Sequence, residues 1–442
     1  MLLGCGDDQQ ETPVDAGADA PGIDAPGDPL TPAEIAAMKL LSPLPAVPAD
    51  STNQFANNVK AATLGQMLFF DKSYSGALAV ADDGTNGGLG AAGSVGKVSC
   101  ASCHAAGSDG MDDRRTRPNN VSLGTDYGTR NALAVVNSSF YAWTNWAGRF
   151  DSQWSLPLAV AENAKIMKST RLEIAHMLYA KYRTEYNATF PVALDSALDP
   201  TATDAARFPA VGKPKAAAAD PDGPWEGMTQ ADRDIVNTIF ANYGKALQAY
   251  MRTLVSRDAP FDRFVSGDRA AISPAAVNGL KIFLASCVRC HSGPNFADDK
   301  FHALGVAQTG LRVPAADLGR FQDVPGLLGS PFNSNGNFSD DKLTGRLTNL
   351  TQQAAQTGQF RTKSLRNVAQ SAPFMHSGQH ATLADVVAFY NTGGGTPPAG
   401  ITKDPLLQPL ALSPQQQADL VAFLETLTGA DVSAELVTDT SK

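Results

Sequence analysis

Two short stretches constrain this chain more than anything else in it: Cys100-Ala-Ser-Cys103-His104 and Cys287-Val-Arg-Cys290-His291. Each sets two thiols three positions apart and places an imidazole directly after the second. That spacing suits attachment of a c-type haem: the thiols add to the two vinyl groups and the adjacent imidazole meets the iron. The alternative for four such cysteines is a split zinc site. Two copies, each with its own histidine, favour haem. The predicted cofactors are therefore two covalently bound haems, held by Cys100, Cys103 and His104 and by Cys287, Cys290 and His291.

The remaining composition narrows the setting. With 442 residues, 43% hydrophobic and 18% charged, the chain has room for two or three domains. A net charge of -9 argues against a nucleic-acid partner, which favours a basic face. No apolar run reaches the roughly 18 residues of a membrane helix. The fifth cysteine, Cys5, lies in Leu2-Leu3-Gly4-Cys5, which resembles a bacterial lipobox with its upstream signal region cut away. Residues 7–30 are rich in Asp, Ala, Gly and Pro and read as a solvated tether. Cys5 is thus the expected lipidation site, with a membrane surface as partner. Haem c is attached outside the bacterial cytoplasm, so an exported, periplasmic location is expected independently.

Read in order, the chain is mainly helical, and strand signals are sparse. Thr31-Pro-Ala-Glu34 is a capping box with proline at the first helical position. Residues 52–70 carry Phe55, Val59, Leu64, Met67 and Leu68 at helical spacing. A glycine-rich loop over 82–96 leads to the first motif, and a polar loop with Asp112 to Arg117 follows it. Further helices are expected at 168–190, Asp232 to Val255, from Ser273 into the second motif, 382–391 and 414–428. Residues 191–224 read as a surface insertion and 305–360 as irregular. The expected architecture is two cytochrome-c-like haem domains with few strands. Residues 1–30 are a disordered tether, 31–265 the N-terminal haem domain with its insertion at 191–224, 266–430 the C-terminal haem domain and 431–442 a tail.

The ordered motifs resemble the bacterial di-haem cytochrome c peroxidase / MauG family. They include Leu64-Gly-Gln-Met-Leu-Phe-Phe-Asp71, Arg130-Asn131, Trp146-Ala-Gly-Arg149, Arg252-Thr-Leu-Val-Ser256, Leu365-Arg-Asn-Val368 and Ala372-Pro-Phe-Met-His376. The likeness covers roughly residues 55–428. It implies a peroxide-reacting first haem and an electron-relaying second haem. It also implies a calcium ion between them, bound by Asn131 and the carbonyls of Ser371 and Pro373. Trp146 matches the tryptophan that bridges the haems; the plainer reading is a packed core aromatic. Tyr390 stands fourteen residues after His376, where MauG-type members carry a tyrosine ligand to the second iron; Met375, His376 and His380 are the other candidates.

The resemblance also has a gap. Ten and twenty residues beyond Trp146, where the family places a glutamine and a glutamate that assist peroxide cleavage, stand Leu156 and Ile166. Aliphatic groups move no protons. Glu162 lies near enough in sequence to act instead, although a surface glutamate is the plainer reading. His176 and His302 read as structural. The leading expectation is an enzyme that reduces peroxide or oxidises an external substrate, with electrons passing between the haems. A small cytochrome c or copper protein is the expected redox partner. The alternative is a non-catalytic di-haem electron carrier or redox sensor. A third option is an oxygenase whose long 191–224 and 305–360 segments shape a substrate cleft.

Overall fold

The structure is a computed structural model that describes residues 29–81, 88–104 and 121–442. Cys5, nearly all of the expected tether and the Asp112–Arg117 loop lie outside the described residues, as does part of the glycine-rich loop. The helices are α1 (Pro32–Lys39), α2 (Val59–Phe70), α3 (Cys100–Cys103), α4 (Ser155–Glu162), α5 (Arg171–Thr189), α6 (Gln230–Met251), α7 (Pro260–Val265), α8 (Pro274–Ser286), α9 (Arg320–Leu328), α10 (Leu383–Asn391) and α11 (Pro414–Glu425). Among the described residues the one sheet is an antiparallel pair, β1 (Phe301–His302) and β2 (Phe360–Arg361). The mainly α expectation therefore stands.

Several helix starts follow from local side-chain chemistry. Thr31 and Glu34 exchange hydrogen bonds as a capping box (Glu34 N–H to Thr31 Oγ1, 3.3 Å; Thr31 N–H to Glu34 Oε2, 2.7 Å). Ser273 caps α8 through the Ala276 N–H, and Ser413 with Gln416 does the same for α11. The helix expected from residue 52 begins later. Asn58 accepts the Ala61 N–H at 3.0 Å, and residues 52–58 form turns.

The core has two main parts, and each is built on a close helix pair. In the first, α2 crosses α6; in the second, α8 crosses α11. A glycine sits at each crossing. A Cβ on Gly65 would lie 2.0 Å from the Ala246 carbonyl oxygen, and one on Gly279 would lie 2.0 Å from that of Asp419. Only hydrogen fits there, so the backbones touch. Phe69 on α2 then meets Tyr250, and Phe283 on α8 meets Phe423. α8 leads directly into the second Cys-x-x-Cys-His motif, and α2 packs against the α3 turn that carries the first.

Three boundaries differ from the sequence expectation. Leu30, Ile35, Met38 and Leu41 of the α1 region belong to the second core, as do Phe261 and Phe264 of α7. The switch between halves therefore falls before α7, and residues 31–41 are out of sequence order. Arg366 ties α1 in by donating to the Leu41 carbonyl and to Asp262. Residues 431–442 are no loose tail: Val432 and Leu436 pack on the first core, Tyr250 donates to the Leu436 carbonyl at 2.5 Å, and Lys442 pairs with Glu185. Segment 191–224 is only partly surface, because Leu194, Ala197, Leu198 and Phe208 are buried against α5. Its carbonyls at Leu198 and Phe208 hold the His176 ring, which is structural. Within 305–360, α9 is a helix that the glycines and asparagines around it conceal.

Candidate functional site

The first motif is one helical turn. The Ser99 N–H donates to Ser102 Oγ at 3.0 Å, and the His104 N–H closes the turn on the Cys100 carbonyl at 2.9 Å. The second motif leaves the end of α8 in the same way, with the His291 N–H on the Cys287 carbonyl at 2.9 Å. The His291 Nδ1 lies 2.9 Å from the Phe296 carbonyl, to which only an N–H can donate. That fixes the tautomer and leaves Nε2 with the lone pair a metal needs. Burial pushes the His291 pKa down, so the ring is neutral at pH 7.

The zinc alternative fails on the same geometry. Among the described residues no disulfide joins the cysteines, and the four do not converge. The one cluster of potential ligating groups among the described residues is Cys290, Asp298 and His302. There His302 already engages the one carboxylate of the cluster, Asp298, at 3.2 Å, and Asp404 outside it at 2.6 Å. Burial pushes the thiols of Cys100 and Cys287 up to about 12.

Both motifs open into one cavity. Its wall includes Cys100, Cys103 and His104 at one end, Cys287, Cys290 and His291 at the other, and Trp146 with Tyr390. The lining is mainly aliphatic, and a few polar atoms in it are stranded. Arg361 Nε and Nη1, Gln308 Oε1 and Thr144 Oγ1 are buried without a hydrogen-bond partner. An apolar cavity with thiols and imidazoles at its ends and unpartnered donors on its wall fits a porphyrin with carboxylate arms.

Trp146 is held rigidly. Its indole N–H donates to the Asn131 carbonyl at 2.8 Å, the His376 ring meets it edge-on at 6.2 Å, and the Lys363 Nζ lies 4.4 Å from its ring centre. Tyr390, on α10, is desolvated in the wall beside Cys287 and Cys290; desolvation and then the two sulfurs push its phenol above the ordinary value. His376 is stacked on Phe360 at 3.7 Å, and its Nε2 accepts from the Gln308 amide at 2.8 Å. Burial drops its pKa to about 4. Met375 also lines the cavity.

Asn131, Ser371 and Pro373 all line this cavity. The Asn131 amide donates directly to the Pro373 carbonyl at 2.7 Å, and the Ser371 hydroxyl donates to Val368. Leu156 and Ile166 are in the wall as well, with Pro157 and Val160. Glu162 is not. Its carboxylate forms a two-pronged pair with Arg171 (2.8 and 2.9 Å) and also accepts the Arg171 N–H, so it is no substitute acid or base for the cavity. Reading the sequence missed Arg361, Lys363 and Gln308. The only signal was the presence of two cations directly before Leu365-Arg-Asn-Val368.

Comparison with known proteins agrees with this geometry. The family model for di-haem cytochrome c peroxidase matches residues 59–270. A cytochrome-c peroxidase of Denitromonas iodatirespirans is 32% identical over 399 residues, 88% of this chain and 86% of that protein. The methylamine utilization protein MauG of Methylophilus methylotrophus is 35% identical over 42% of this chain and 46% of its own length. Among solved structures, a MauG-like protein associated with microbial copper homeostasis shares the fold at a TM-score of 0.59, with 23% identity over 90% of this chain and 97% of that one. The diheme peroxidase BthA from Burkholderia thailandensis does so at 0.57, with 20% identity over 88% and 91%.

Proposed function

This chain belongs to the di-haem cytochrome c peroxidase family, and from that premise we propose how its own residues carry the family's chemistry. It is a di-haem c-type oxidoreductase of the peroxidase/MauG type. The haems supply the redox-active irons. Cys100 and Cys103 tether the first and Cys287 and Cys290 the second, with His104 and His291 as the protein ligands to iron. Tyr390 is the second ligand at the His291 end, supported by its place in the cavity wall beside Cys287 and Cys290. Of the other candidates, His376 has its Nε2 engaged by Gln308.

The observation that carries the reading is the single cavity that joins both motifs, with Trp146 in its wall. Trp146 is the electron relay: a π-system fixed by its bond to Asn131 needs little rearrangement when an electron passes. Leu156 and Ile166 exclude water and cannot deliver protons, so proton supply to bound peroxide is slow and turnover is modest. Calcium is the finer part of the proposal. Its support is the convergence of Asn131, Ser371 and Pro373 on one wall; turning the Asn131 amide over presents its oxygen in place of the N–H now on Pro373. An exported, lipid-anchored location through Cys5 and a small cytochrome or copper protein as redox partner complete the reading.

Steady-state peroxide consumption with a reduced donor protein tests it. Peroxide-dependent oxidation of the donor is expected. A doubly haem-loaded protein that exchanges electrons with the donor but consumes no peroxide would be a carrier, and the enzyme reading would fall.

A further inference from the structure

We propose that Arg361 and Lys363 form the subsite that receives the carboxylate arms of the haem held at the second motif, and that their charge raises that haem's reduction potential. The proposal rests on the reading that two covalent haems occupy the cavity.

Other guanidinium groups in this region are neutralised within the chain. Arg130 is held by Asp317 and Asp323, and Arg366 by both oxygens of Asp262. Arg361 and Lys363 break that pattern. Arg361 is 4% exposed, and its Nε and Nη1 have no hydrogen-bond partner. Its nearest carboxylate, Asp299, stops 4.0 Å from Nη1, beyond hydrogen-bond reach, and one face of the guanidinium rests on the Tyr141 ring at 3.5 Å. Lys363 has three N–H donors and makes one long hydrogen bond, 3.3 Å to the Asn145 carbonyl, with its Nζ 4.4 Å from the Trp146 ring centre. Burial pushes both groups below their ordinary range, and the charges of Arg361 and Arg130 push Lys363 lower still.

Two buried cations two residues apart on the wall of an apolar cavity, with Asp299 at 4.0 Å from Arg361 as the nearest carboxylate, are costly to desolvate unless a further anion neutralises them. Both line the cavity, and the Lys363 backbone lies against the His291 ring. A haem tethered at Cys287 and Cys290 brings two carboxylates into that space. A positive charge beside them disfavours the oxidised, more positive iron, so the reduced form gains.

The test uses the purified holoprotein. Covalent haem content is measured in the wild type and in Arg361→Gln, Lys363→Met and Lys363→Arg, followed by a spectropotentiometric titration of each. The expected result is two haems throughout and a fall in one of the two midpoints. At fixed potential the oxidised-to-reduced ratio of that haem shifts about tenfold, equivalent to about 59 mV for a one-electron couple. Lys363→Arg stays close to wild type. Two haems with both midpoints unchanged in Arg361→Gln and Lys363→Met would overturn the proposal. Should Lys363→Met fold poorly, Lys363→Gln gives the same reading. A wild-type protein with fewer than two covalent haems would overturn the occupancy reading itself, a distinguishable failure.

Discussion

Replacing Gly279 with alanine tests whether the touching helices set the second motif. The added Cβ would lie 2.0 Å from the Asp419 carbonyl oxygen, 2.6 Å from its carbon and 2.8 Å from the Phe423 Cβ. Ordinary contact begins near 3.4 Å, so α8 and α11 must separate by about 1.4 Å. What the methyl meets is backbone, which no rotamer change can move. Overpacking typically costs about 1–3 kcal/mol, and this site belongs at the upper end. Alanine's better helix propensity returns about 1 kcal/mol. The net is a loss of about 2 kcal/mol, or a melting point lower by about 4–8 °C for a half of this size. The α9 residue Gly326 is the internal control. A Cβ there meets nothing within 4 Å, so Gly326→Ala keeps or gains stability. Thermal unfolding followed by circular dichroism, with haem content at the second motif, measures both. A Gly279→Ala protein that melts with wild type and loads both haems would refute the claim that this crossing is closed to a side chain.

Other outcomes follow from the site. Tyr390→Phe changes the visible and EPR spectrum of one haem and leaves the other alone; identical spectra would remove Tyr390 as a ligand. Ile166→Glu places a desolvated carboxyl in the apolar wall, where its pKa rises toward neutrality, and peroxide turnover should increase at least tenfold, within the range of positioned acid–base groups. Arg130→Met strips a cation from two buried carboxylates and should cost about 3–5 kcal/mol by denaturant unfolding. The intact pair also has a pH signature. Burial alone would raise the Asp317 pKa, but Arg130 outweighs it and holds it below the usual carboxylate range. Its stabilisation is therefore present above the unfolded value near 4 and lost as pH falls through the folded one, and Arg130→Met flattens that acid limb.

Much of this protein was legible before its structure. The two motifs, the caps at Thr31, Ser273 and Ser413 and the long α6 pattern depend on residues close in sequence, where spacing and side-chain chemistry decide the outcome. The path of the chain between halves was not legible. Ile35 and Met38 announce a buried face, but periodicity does not say which core buries it, and they cross to the second. The site divides in the same way. Tyr390 and Trp146 could be placed by counting from motifs, and both reach the cavity. Glu162 could not be judged, because its partner Arg171 looks like any surface arginine until α5 folds against α4. Lys363 and Arg361 were missed for the opposite reason. Cations in a polar stretch read as solvated, and only the assembled wall shows them buried with aromatic rings and a carboxylate no closer than 4.0 Å.

The exchanged ends of the chain bear on how the protein is made. During synthesis α1 emerges before any of the core it joins, and the first core lacks Val432 and Leu436 until almost the whole chain is out. Each half therefore completes its packing only after residues from the other end of the chain have joined it. Expressing residues 44–258 alone should yield a loosely packed product, because the piece that completes it is encoded at the far end.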